Sequence, residues 1–243
     1  MNVRTGMILA AGYGTRMRPL TDHLAKPLLP AGARTLLERS LGWMAAAGMS
    51  RVVVNLHHLA DQVRAFAEAV RPPDLELCFS REPEILGSGG GIGRAAEAFF
   101  PQEDVLVVNG DLLFEQDPLP LLEAHGARGA AATCLVIPAA REPSLASVTL
   151  GEDGRVLEVT REGAAPSHPG FRGIFAGIHV LSPELHRRLP RDRFASVIDA
   201  GYRPCMAEGR VFGVPGHGPW WDLGTPARYE AALREFFFRG LPA

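Results

Sequence analysis

The sequence predicts an α/β fold: a mostly parallel, mixed central sheet flanked by helices. Three observations carry that expectation. Short apolar runs of strand length alternate with segments of helical period up to about residue 137. Two glycine-rich stretches and an Asn-Gly-Asp each follow a strand, so they gather at the carboxyl edge of the sheet, where ligands bind in such folds. The 243 residues, 47% of them hydrophobic, supply enough apolar material for one large core.

Taken in order, residues 7–11 form a short apolar run that ends in glycine and reads as a buried strand. Residues 12–30, rich in Gly, Pro and Thr, read as a long ordered loop, and loops of that length are usually functional. Residues 35–47 carry Leu36, Leu37, Leu41 and Met44 at helical spacing, and Gly48 stops the helix. A strand over 52–56, a helix over 60–70 and a strand over 75–79 follow. Residues 81–91 form a second glycine-rich loop that opens a helix over 92–99. A strand over 105–108 ends at Asn109-Gly110-Asp111, before a helix at 119–125 and a strand at 131–137.

The second half is less regular. Strands over 147–150 and 156–160 flank Glu152-Asp153-Gly154, a hairpin signal. Residues 164–173 read as a loop, 176–181 as a strand and 183–189 as a short helix. Residues 193–209 read as helical with a break at Pro204, and 211–214 as a strand. A final helix over 226–239 has Thr225 as its cap and proline at its first position. The expectation is one domain over 1–243, with a body over about 1–137, an irregular part over about 138–225 and a closing helix over 226–243.

Composition excludes several classes. A net charge of −2 gives no basic field for nucleic acid. No apolar run approaches the roughly 18 residues of a membrane span, and the N-terminus has no signal-peptide pattern. Cys78, Cys134 and Cys205 show no spacing for a disulfide framework or a zinc site, and they read as small buried apolar residues. A cytoplasmic protein fits. Of 25 basic residues, 24 are arginine and the single lysine is Lys26. A lysine that stands alone in so arginine-rich a chain does something arginine cannot.

The chemistry concentrates in four places. Leu9-Ala10-Ala11-Gly12-Tyr13-Gly14-Thr15-Arg16 lets backbone N–H groups approach an anion, and Arg16, Arg18 and Lys26 add three cations beside it. That suits a polyphosphate. The stretch is neither a P-loop nor a GxGxxG dinucleotide fingerprint, because Met17 stands where the third glycine belongs. The second place is Glu82–Gly91, whose bare backbone suits a base edge. The third is Asp111 at a strand end. The fourth is Asp222 in Trp220-Trp221-Asp222-Leu223-Gly224-Thr225. His57 and His58 show no metal spacing, and Phe236-Phe237-Phe238 leaves open a plain core helix or a partner surface.

Gly12, Gly14, Arg16, Pro19, Thr21 and Lys26-Pro27 together resemble the GxGxR–PxT–PKP signature of the sugar-1-phosphate nucleotidyltransferases. The likeness is closest to the short bacterial subgroup acting on N-acetylmuramate or mannose 1-phosphate, which lacks the C-terminal β-helix of longer relatives. The resemblance implies a Rossmann-like fold, a nucleotide-binding part over 1–137 and a sugar-phosphate part over 138–225. It implies that Arg16 and Lys26 are catalytic. Leu9, Ala10, Ala11, Gly12, Gly14, Thr15, Arg16, Glu82, Leu86, Gly87, Ser88, Asn109 and Gly110 then bind nucleotide, while Lys26, Arg161 and Gly177 hold the sugar phosphate. Asp111 and Asp222 then carry Mg²⁺. The partners are a nucleoside triphosphate and a sugar 1-phosphate, in a monomer or homodimer, with no nucleic acid and no membrane. UTP with N-acetylmuramate 1-phosphate comes first, GTP with mannose or heptose 1-phosphate second. A cytidylyltransferase for a phosphorylated alcohol and a silent nucleotide-sugar-binding protein remain beside them. The Glu-Lys-Pro of many relatives is missing, since Arg161-Glu162-Gly163 stands there, which leaves the acceptor side open.

Overall fold

The run Val52-Val53-Val54 shows how the sheet is covered. Val52 and Val54 pack with Leu37, Leu41 and Val63 on one face, and Val53 packs with Met7, Ile92 and Val107 on the other. A strand covered on both faces needs an apolar residue at every position, which is why these runs do not alternate. The protein is seen in a computed structural model that describes residues 3–138, 146–160 and 164–238.

The first half builds β1 (Thr5–Leu9), β2 (Pro30–Ala31), β3 (Arg34–Thr35), α1 (Leu36–Ala46), β4 (Arg51–Leu56), α2 (Ala60–Ala69), β5 (Glu76–Arg81), α3 (Gly87–Phe99), β6 (Val105–Asn109), β7 (Leu112–Phe114), α4 (Leu119–Arg128) and β8 (Ala132–Pro138). The second half adds β9 (Ser147–Leu150), β10 (Val156–Val159), β11 (Phe171–Leu181), α5 (Pro183–His186), α6 (Arg203–Ala207), β12 (Val211–Pro215), β13 (Trp220–Asp222) and α7 (Pro226–Phe238). Nine strands form one mixed sheet, with the order β10-β9-β11-β6-β1-β4-β5; β8 joins it through β11, and β12 pairs with β8. The neighbours β6-β1-β4-β5 are parallel, and β11 runs antiparallel to β6. Helices flank this sheet, as the sequence predicts.

Local chemistry accounts for the ends of the elements. Thr35 caps α1 by accepting a 3.2 Å hydrogen bond from the Glu38 N–H, and Gly48 follows its end at φ +82°. Thr225 opens α7, accepting from the Arg228 N–H at 3.4 Å. The Glu152-Asp153-Gly154 turn closes the β9–β10 hairpin with Gly154 at φ +80°.

The structure corrects several boundaries. The helix expected to begin at residue 92 begins at Gly87, so the glycine stretch is its first turns and not a loop. These glycines let α3 approach a neighbouring backbone: a Cβ on Gly89 would stand 2.9 Å from the Ser196 carbonyl carbon, and one on Gly90 would strike the Arg193 carbonyl oxygen. β11 begins at Phe171, inside the stretch expected to be a loop, because its first half pairs with β9. Residues 193–196 are not helical; a π-helical turn over Ile198–Tyr202 leads straight into α6, so Pro204, at its second position, does not break the helix as expected. The short pair β7–β13 is visible only in three dimensions. Cys134 and Cys205 are buried as expected, whereas Cys78 is half-buried.

A third apolar cluster lies outside the sheet. Met17, Leu29, Leu36, Leu113, Leu223, Tyr229 and Phe236 pack together, so α7 clamps the first glycine loop to the segment that carries Asp222.

Candidate active site

β1 ends at Leu9, and the chain then runs along the carboxyl edge of the sheet. The Ala10 N–H donates to Asn55 Oδ1 at 2.6 Å. Gly14 adopts φ +65°, and its carbonyl accepts from the Met17 N–H and from Thr21 Oγ1, both at 2.8 Å. A Cβ on Gly14 would stand 3.1 Å from Thr21 Cγ2 and 3.3 Å from Lys26 Cβ. The signature residues Gly14, Thr21 and Lys26 therefore form one packed unit. A 3₁₀ turn over Lys26–Leu28 points Lys26 inward, where the residue is only 9% exposed. Its Nζ lies 2.5 Å from Asp111 Oδ2.

The second loop is held by a buried carboxylate. Glu82, 2% exposed, accepts from Asn55 Nδ2 at 2.6 Å through Oε1 and from the Leu86 N–H at 2.9 Å through Oε2. Both carboxylate oxygens are thus occupied in tying β1, β4 and the start of α3 together. Residues 193–197 then strap this loop from outside. Ala195 N–H donates to the Leu86 carbonyl at 2.9 Å, Gly89 N–H to the Ala195 carbonyl at 2.8 Å, and Val197 N–H to Ser88 Oγ at 3.0 Å.

The two aspartates meet through β7 and β13. Asp222 is the register partner of Leu112, next to Asp111, and the Leu223 N–H donates to the Asp111 carbonyl at 3.2 Å. Asp222 Oδ1 accepts from Arg228 Nη1 at 2.9 Å and from the Gly224 N–H at 3.0 Å. The exposed Arg16 brings its Nη2 within 3.5 Å of where a Cβ on Gly224 would stand. No three His, Cys, Asp or Glu side chains cluster among the described residues. Two carboxylates on adjacent strand ends fit a hard cation such as Mg²⁺, which takes one or two protein carboxylates and completes its shell with phosphate and water.

Between these parts opens a cleft of about 230 Å³. Leu9, Ala10, Ala11, Gly12, Lys26, Glu82, Gly87, Ser88, Asn109, Gly110 and Asp111, all expected at the site, line it together with Pro27, Asn55 and Ile85. Asn55 and Ile85 were not foreseen; the one available signal for Asn55 was a polar residue near the end of an apolar strand. Gly14, Thr15, Arg16, Leu86, Gly177 and Asp222 stand outside the lining. Leu86 is buried, with both backbone polar groups taken by Glu82 and Ala195. Gly177, at φ +73°, sits where the pairing of β11 shifts, and a Cβ there would stand 2.6 Å from Asn109 Nδ2. The Trp220 indole N–H donates to the neighbouring Ala176 carbonyl at 2.9 Å, which makes Trp220 a core residue. Arg161 lies outside the described residues. The thiols offer no nucleophile here: burial pushes Cys134 up to about 12 and raises Cys78 and Cys205 as well.

A family model described as nucleotidyl transferase matches residues 5–236. The chain belongs to the nucleotidyl transferase family. The N-acetylmuramate α-1-phosphate uridylyltransferase of Caulobacter vibrioides is 30% identical over 94% of this chain and 95% of that protein. A UTP–glucose-1-phosphate uridylyltransferase of Synechocystis sp. is 28% identical over 94% of this chain, and a mannose-1-phosphate guanylyltransferase of Mycobacterium tuberculosis is 29% identical over 90%. The match spans only 62% and 61% of those two longer proteins. The fold is shared with a UDP-glucose pyrophosphorylase solved with UDP-glucose (TM-score 0.82, 16% identity, 98% of this chain and 100% of that one). It is shared also with HddC from Yersinia pseudotuberculosis (TM-score 0.78, 23% identity, 96% and 99%).

Proposed function

We propose that this chain transfers a nucleoside monophosphate from a nucleoside triphosphate to a sugar 1-phosphate, releasing pyrophosphate. The observation that carries this reading is the Lys26–Asp111 pair at the mouth of a glycine-lined cleft, with Asp222 on the adjacent strand. An oxygen of the sugar phosphate attacks the α-phosphorus. The bond from that phosphorus to the bridging oxygen breaks, and pyrophosphate leaves with the electron pair. The attacking oxygen is already anionic, so no general base and no covalent enzyme intermediate are needed. Catalysis then rests on positioning and charge stabilisation.

Lys26, a compact point charge, holds the α-phosphoryl and sugar-phosphate oxygens as charge develops on them. Arg16 and the amides of the first loop hold the β- and γ-phosphates. Glu82 keeps the loops in register, with Gly87 and Ser88 beside the base and Asn109 and Gly110 along the nucleotide. Asp111 and Asp222 would hold Mg²⁺, which would supply Lewis-acid neutralisation of the phosphates. Residues 1–137 serve the nucleotide and 138–225 the sugar phosphate, with Gly177 and Arg161 on the acceptor side.

The substrate pair is UTP with N-acetylmuramate 1-phosphate, supported by the Caulobacter relative that matches over nearly its full length. GTP with mannose or heptose 1-phosphate is the second reading, supported by the mycobacterial guanylyltransferase. No helix among the described residues is long and apolar enough to cross a membrane. The reaction belongs in the cytoplasm, where nucleoside triphosphates are made. Pyrophosphate release tests this directly, crossing UTP, GTP, CTP and dTTP with N-acetylmuramate, N-acetylglucosamine, glucose and mannose 1-phosphates. One strong pair identifies base and sugar together. Release in none of them, with no Mg²⁺-dependent nucleotide binding, overturns the reading.

A further inference from the structure

Tyr13 lies between the two glycines of the first loop, where side-chain anchorage is scarce: a Cβ on Gly12 would meet nothing within 4 Å. Tyr13 is 45% exposed, so burial alone does not hold it. His57, just past β4, reaches both loops. Its Nδ1 lies 2.9 Å from the Glu82 carbonyl oxygen, and its Nε2 lies 2.9 Å from the Tyr13 hydroxyl. A carbonyl oxygen only accepts, so Nδ1 carries the proton and Nε2 accepts from the hydroxyl. One neutral tautomer satisfies both contacts. The Tyr13 ring meets His57 edge-on, with centroids 5.2 Å apart at 88°, and lies 5.5 Å from His58. Glu82, whose backbone His57 holds, is the residue whose carboxylate organises the second loop.

We propose that Tyr13 and His57 are positioning residues, a latch that holds the first glycine loop against the base-side loop before nucleotide arrives. The inference rests on the nucleotidyl-transfer reading for its consequence but not for its geometry. The latch spares the nucleotide the cost of ordering a glycine-rich loop, so it acts on triphosphate binding and not on the chemical step.

The test uses the full chain in two arms. Without ligand, ¹⁵N-histidine NMR reads the His57 tautomer, and amide exchange reads Gly12 and Gly14 in wild type and Tyr13→Phe. The Nδ1–H tautomer and faster exchange in the variant support the latch. The Nε2–H tautomer, or equal exchange, overturns it. In the second arm, a nucleoside triphosphate with Mg²⁺ is titrated and steady-state turnover is measured. Tyr13→Phe weakens binding and raises KM by about three- to tenfold, the worth of one neutral hydrogen bond, while kcat moves little. His57→Asn, which keeps the donor to Glu82, behaves like Tyr13→Phe, and His57→Ala is worse. Equal KM in all four proteins overturns the latch. A wild type that binds no triphosphate overturns the functional reading, and the exchange arm still decides the latch.

Discussion

Lys26 Nζ and Asp111 Oδ2 stand 2.5 Å apart although 85 residues separate them in the chain. The only lysine in the sequence is thus the counter-ion of a carboxylate in the turn that follows the central strand β6. The pair keeps two opposite charges ready at the cleft. Phosphate oxygens can take Lys26, and a divalent cation can take Asp111.

Lys26→Ala is expected to lower kcat for pyrophosphate release by on the order of 10²–10³, the usual effect of removing a charge-stabilising group. Lys26→Arg is not expected to restore it, because a planar guanidinium does not fit a site built around the ammonium of a buried lysine. Single-turnover assays with saturating substrates check both. Near-normal turnover in Lys26→Ala would remove Lys26 from the mechanism.

Glu82→Gln should destabilise the fold by about 1–3 kcal/mol. Both carboxylate oxygens accept from N–H donors, so the amide NH₂ of glutamine must face one of them. The same change should raise the KM for triphosphate, since both loops depend on this group. Urea denaturation and initial rates on one preparation read the two effects.

Two glycine-to-alanine changes should move stability in opposite directions. Gly42 lies inside α1 with nothing within 4 Å of an added Cβ, so Gly42→Ala gains about 0.5–1 kcal/mol of helix stability. A Cβ on Gly90 strikes the Arg193 carbonyl and stands 2.8 Å from Leu86 Cβ, so Gly90→Ala loses about 1–3 kcal/mol. Melting temperatures that shift in the same direction would contradict this account of why α3 is glycine-rich.

His179 is fully buried, its Nδ1 2.9 Å from the Tyr202 hydroxyl, and burial pushes its pKa down from 6.5 to about 3. Above pH 6.5 the ring is neutral in both folded and unfolded chains. As pH falls below that value, the unfolded chain takes up a proton that the folded chain refuses. Stability therefore falls by up to about 1.4 kcal/mol per pH unit until the folded pKa is reached. His186, also lowered chiefly by burial, adds in the same sense. Denaturation at a series of pH values between 7 and 4 should show a shallower acid slope for His179→Asn than for wild type.

Much of this was readable along the chain. The apolar runs at β1, β4 and β6, with helical periods between them, place the first loop, Asn109, Gly110 and Asp111 at one sheet edge. The glycine stretch 87–91 was legible as part of the site but not as a helix. Glycine's local preference against helix is overridden there because only hydrogen side chains let α3 meet the backbone of residues 193–197. Asn55 carried only the signal of a polar residue near the end of an apolar strand, and the 193–197 strap carried none, since their roles come from hydrogen bonds between segments distant in sequence.

Residue identity and spacing by themselves determined the family signature and the buried strands, and singled out the carboxylates and cations proposed to carry the chemistry. Those depend on short-range order: the period of the apolar residues and the few residue types a phosphate loop tolerates. The meeting of Lys26 with Asp111, the placing of Asp222 beside Asp111 through β7 and β13, and the bridge from Tyr13 through His57 to Glu82 were decided only by the tertiary structure. Each is a contact closed across long stretches of chain, and the free energy that closes it comes from packing the sheet and its three apolar clusters, not from the residues that meet.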